Sequence, residues 1–71
     1  MIRWRKLEAG HYESVDGRFD ILASYSRLYG NHWVLQDSYE KDYYKGQYHE
    51  CTLRDCKLKA ETLADIRKRF G

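Results

Sequence analysis

The residues with most chemical potential in this 71-residue chain are His49, Cys51 and Cys56, spaced His-x-Cys-x4-Cys. Imidazole and thiolate are the usual zinc ligands, but this spacing is not that of the common zinc pairs. A four-ligand site would need a distant residue such as His32 or His11. A structural reading fits the spacing better. With Thr52 as the N-cap of a helix, Cys51 and Cys56 occupy the N′ and N4 positions of a hydrophobic staple, and cysteine packs there as a small apolar residue. The expectation is two thiols against one another or against the same core residues, with no metal and no cofactor.

Catalysis finds less support. Three histidines and several carboxylates could supply acid–base groups, yet none stands in a recognisable catalytic arrangement. Ser24, Ser26 and Ser38 have no nucleophile-elbow context, and no glycine-rich phosphate loop is present. A chain this short also has little volume with which to enclose a pocket. The expectation is a protein that is not an enzyme.

Binding groups are more plentiful, and charge is segregated along the chain. Residues 1–6 carry Arg3, Arg5 and Lys6, a local charge of +3. Residues 7–52 sum to −4 and residues 53–71 to +3. The basic ends could contact nucleic acid through Arg3, Arg5, Lys6, Arg67, Lys68 and Arg69. Each cluster also has a structural reading. Cations at a helix C-terminus offset the macrodipole, and charges on an edge strand discourage aggregation. A third group is the tyrosine-rich stretch Tyr39, Tyr43, Tyr44 and Tyr48 with Lys41 and Lys45. It could stack unpaired bases, anchor a protein interface, or fold two of its rings over the core.

These groups must be positioned by a single domain, residues 1–71, and the pattern reads as α+β. Val15-Asp16-Gly17-Arg18 predicts a two-residue hairpin turn. Its register pairs Ser14 with Phe19 and Tyr12 with Ile21. Tyr12, Phe19, Ile21, Ala23 and Tyr25 then share the core face, while His11, Glu13, Val15, Arg18, Asp20 and Leu22 face away from it. Gly10 allows a bend that separates this hairpin from the alternating Ile2-Arg3-Trp4-Arg5. A second turn near Leu28-Tyr29-Gly30-Asn31 returns the chain as His32–Gln36. Trp33 and Leu35 join the core face only if that loop is longer than two residues or bulged. Residues 37–50 read either as a short helix capped by Asp37 and Glu40 or as an ordered loop. Thr52 caps a C-terminal helix whose Leu53, Cys56, Ala60, Leu63, Ala64 and Phe70 form one side, with Ile66 at its margin and Leu58 opposite. The expected architecture is a three-stranded antiparallel β-meander with that helix packed across one face.

Gly10-x-Tyr12, Asp16-Gly17-Arg18-Phe19-x-Ile21, Trp33-x-Leu35 and Thr52-Leu53-x-x-Cys56-Lys57-x-x-Ala60 together resemble the small accessory proteins of bacteriophages that infect actinobacteria. The resemblance implies a phage origin and no particular activity. The order of elements is also similar to three-strand-plus-helix DNA-binding domains, such as integrase amino-terminal domains and plant ethylene-response factors. In those the outer sheet face enters the major groove. Here Glu13 and Asp20 lie on that face beside Arg18, which would set carboxylates against phosphates.

The function expected is therefore stoichiometric contact with a host or phage protein, or self-association through the sheet. Glu13, Val15, Arg18, Asp20 and Leu22 on the outer face, with Val15 and Leu22 as its apolar patch, are the candidate interface, joined by Tyr43, Tyr44 and Leu58. Val34 is a further apolar residue left outside the core. No apolar run approaches a membrane span, and no signal-peptide core is evident at the start. With only two cysteines, a reducing host cytoplasm is the expected location.

Overall fold

The computed structural model describes the backbone of residues 1–70 and the side chains of residues 1–66. Five strands run in chain order: β1 (Trp4–Glu8), β2 (His11–Ser14), β3 (Phe19–Ser26), β4 (Gly30–Asp37) and β5 (Gln47–Glu50). They form one antiparallel sheet in the order β1-β2-β3-β4-β5, and the helix α1 (Leu53–Phe70) follows. The α+β architecture is as expected, but the sheet has five strands rather than three. The two additional strands are its edges.

The turns show how local chemistry fixes register. Tyr12 pairs with Ile21 and Glu13 with Asp20, the register anticipated from Asp16-Gly17. The loop itself differs. Only Gly17 has positive φ (81°), whereas a two-residue primed turn needs it at both central positions. The Gly17 N–H donates to the Ser14 carbonyl at 2.9 Å, and the connection spans four residues, Val15 to Arg18. A four-residue loop and a two-residue loop on the same centre leave the flanking pairs unchanged, so the register survives the change of turn. Between β3 and β4, three residues separate Ser26 from Gly30, whose φ is 68°. That is the three-residue hairpin loop closed by a left-handed residue. It places Trp33 opposite Ala23 and Leu35 opposite Ile21, on the core face.

The helix begins where Thr52 Oγ1 accepts the Asp55 N–H at 3.0 Å. Its apolar side packs over β3, β4 and β5. Phe19, Ile21, Leu35, Cys56 and Ala60 are wholly buried, with Trp4, Tyr12, Trp33, Tyr48, Leu53, Leu63 and Ala64 around them. Leu58 is exposed, as the helical spacing predicts. Ala23 and Tyr25 lie on the core face by register yet are exposed, because β3 runs on past the ground the helix covers. The staple does not form, since Cys56 is buried and Cys51 is exposed. Residues 38–46 adopt the ordered loop rather than a helix, with Asp37 and Asp42 carboxylates accepting the Tyr39 and Tyr44 N–H groups at 3.0 Å.

Candidate functional site

The helix takes one face of the sheet, and the register places a defined set of side chains on the other. One row across this open face runs Glu8–His11–Leu22–Val34–His49, each residue directly opposite the next. The adjacent row runs Arg5–Glu13–Asp20–Gln36–Gln47. Directly opposed residues on one face are the pairs in closest side-chain reach. Leu22 and Val34 therefore form an apolar centre, and Leu22 is 42% exposed.

Polar groups surround that centre in fixed pairs. Arg5 donates to Glu13 at 2.7 Å, and His11 Nε2 lies 3.0 Å from Asp20 Oδ1. On the far side of Val34, His32 Nε2 lies 3.0 Å from His49 Nδ1. The Tyr29 ring stacks on His49 with centroids 5.7 Å apart and tilts against His32 at 5.5 Å. Among the described residues, no group of three or more His, Cys, Asp or Glu forms a metal-binding cluster.

The anticipated interface residues do not all meet here. Glu13, Asp20 and Leu22 do. Val15 is 53% exposed but stands four residues along from His11, beyond the Glu13–Asp20 row, so the apolar partner of Leu22 is Val34 and not Val15. Arg18 is the largest departure. It is buried, donating through Nε and Nη2 to the two Asp37 carboxylate oxygens at 3.0 Å each. Its guanidinium lies between the Phe19 and Tyr39 rings, 4.6 and 4.3 Å from their centroids. The hydrogen bond to Asp37 raises its already high pKa further. As a member of the four-residue loop rather than of a strand, Arg18 escapes the alternation that would point it outward.

Tyr43 and Tyr44 are exposed in the 38–46 loop, edge to face at 5.5 Å. Of the four tyrosines in that stretch, Tyr48 packs against the core from β5. Leu58 belongs to the helix and so to the opposite side of the molecule. There it lines a 680 Å³ open cleft with Met1, Ile2 and Ile66. Arg3, Arg5 and Lys6 are exposed, with Arg5 tied to Glu13. The side chains of Arg67, Lys68, Arg69 and Phe70 lie outside the described residues.

The sequence offers His32 to His49 only as a distant member of a four-ligand set with Cys51 and Cys56, and nothing in it marks β5 as a strand. Once β5 exists, their register follows from the ladder. Among the described residues, no helix is long and apolar enough to cross a membrane. No protein-family model, curated protein or solved structure matches the chain.

Proposed function

We propose that the chain is a small, non-enzymatic binding module that presents the open face of its sheet to a protein partner. The observation that carries this reading is the Leu22–Val34 pair, an apolar centre on the face opposite the helix. Around it stand Arg5–Glu13, His11–Asp20 and His32–His49. An apolar centre within a polar rim is the usual anatomy of a protein interface. The rim also tells against a nucleic-acid face, since Glu13 and Asp20 sit at its middle and Arg5 is already neutralised. The resemblance to phage accessory proteins makes a host or phage protein in a bacterial cytoplasm the natural partner, bound stoichiometrically.

The test is Leu22→Arg. Leu22 points away from the core, so circular dichroism should show an unchanged fold. Capture of the partner from nuclease-treated lysate, or self-association followed by light scattering, should weaken at least tenfold. A folded variant with undiminished association would move the interface elsewhere. Loss of capture on nuclease treatment alone would replace the protein partner with a nucleic acid.

A further inference from the structure

We propose that His32 and His49 form a two-imidazole site for a divalent transition-metal cation of the zinc class, independently of any protein partner. The proton arrangement between the two rings leads to this. His32 Nδ1 lies 3.0 Å from the Gly30 carbonyl oxygen, which can only accept. His32 in its neutral form therefore carries its hydrogen on Nδ1, and its Nε2 presents a lone pair. The hydrogen between the rings must then come from His49 Nδ1, leaving His49 Nε2 bare. One hydrogen lies between two nitrogens that are 3.0 Å apart.

A metal ion can replace that hydrogen bond only if His49 turns its ring, because a cation about 2.0–2.1 Å from both nitrogens stands roughly 1.4 Å off the line on which the hydrogen lies. Two imidazole nitrogens, each about 2.0–2.1 Å from one cation, stand roughly 2.9–3.4 Å apart for ligand angles between square and tetrahedral. The observed separation falls in that range. His32 is also held as a metal-binding histidine is held, with its far nitrogen donating to a backbone carbonyl that fixes ring and tautomer. It is buried, and the Tyr29 ring packs against both imidazoles. His49 is exposed and free to move its hydrogen from Nδ1 to Nε2. Binding thus needs no net loss of a proton from the neutral pair. Two nitrogen donors, in no group of three or more His, Cys, Asp or Glu among the described residues, favour zinc, copper or nickel over magnesium or calcium. Water completes the coordination.

The probe is zinc chloride added to the full chain carrying Cys51→Ser, which removes the exposed thiol as a competing ligand. Long-range nitrogen–proton NMR spectra of the imidazoles should show His49 changing from the Nδ1–H to the Nε2–H tautomer while His32 keeps Nδ1–H. Calorimetry should give one equivalent bound. His49→Gln, at an exposed position, should keep the fold and weaken zinc binding at least tenfold. His11→Gln should leave zinc binding unchanged, and magnesium should have no effect. Unchanged imidazole spectra at millimolar zinc would overturn the proposal. So would zinc binding that persists undiminished in His49→Gln.

Discussion

Arg18 and Asp37 form a two-pronged ion pair, with both hydrogen bonds at 3.0 Å and both side chains more than nine-tenths shielded from water. The pair joins the β2–β3 loop to the end of β4, and Tyr39 closes over the guanidinium. Taking two charges out of water is costly, and planar bidentate contact is the geometry that best offsets it.

Removing one partner leaves the other charge buried alone. Arg18→Ala should therefore lower stability by about 3–5 kcal/mol in chemical denaturation, whereas replacing both residues with apolar ones of similar size should cost much less. A double-mutant cycle measures the coupling directly. Equal destabilisation by the single and double replacements would show that the loop depends on packing rather than on charge.

Ser14 holds the same loop from inside. Its wholly buried hydroxyl accepts the Phe19 N–H at 2.8 Å and donates to Asp16 Oδ1 at 2.6 Å. Ser14→Ala removes both contacts and strands the Phe19 amide, at a cost of about 1–3 kcal/mol. The Ser14 bond, then the Arg18 N–H, hold the Asp16 carboxyl below its ordinary pKa. Its stabilisation is present above pH 3.8 and is lost as pH falls through the lowered folded-state value. Acid titration of Ser14→Ala should show a shallower loss of stability than the parent.

The two thiols should differ sharply in reactivity. Burial, then the Glu50 and Asp55 charges, push the Cys56 pKa up to about 12 from an ordinary 9.0. Iodoacetamide at neutral pH should label the exposed Cys51 and spare Cys56 until the chain unfolds. The raised pKa also carries a stability slope. Above pH 9 the unfolded thiol ionises while the folded one holds its proton, so this contribution falls as pH rises toward 12. Cys56→Ala should flatten that alkaline slope.

Core and surface positions separate cleanly. Phe19→Ala, Ile21→Ala and Leu35→Ala should each cost about 2–5 kcal/mol, enough to unfold so small a domain. Leu58→Ala should change stability by less than about 0.5 kcal/mol. Thermal melts of the four variants check the helix orientation and the choice of core face together.

Much of this arrangement is legible in the sequence where local chemistry and hydrophobic alternation agree. Asp16-Gly17 centres the first hairpin, and Thr52 with Asp55 starts the helix. The alternation of Phe19, Ile21, Trp33 and Leu35 marks the core face. The edge strands give a weaker signal. In β1 the alternation of Ile2 and Trp4 toward the core stops at the first residue, since Arg5, Lys6, Leu7 and Glu8 are all exposed. β5 is four residues long, emerging from a polar loop. Without β5 nothing sets His32 beside His49, since the two are 17 residues apart and meet through the β4–β5 ladder. Strand alternation would point Arg18 outward, but it has no force in the loop, where Arg18 turns in to Asp37.

The sheet repeats the order of the chain, so every strand pairing is between sequence neighbours. Such a topology has little loop entropy to overcome, and domains rich in local pairings fold quickly. The helix packs onto strands far from it in sequence, and the longest-range hydrogen bond among the described residues runs from the Ile2 N–H to Glu61 Oε1 at 3.1 Å, across 59 positions. That contact ties the first residues to the helix, and it is the one least able to form early. The hairpins should assemble first, leaving the N-terminal segment to dock onto the helix last.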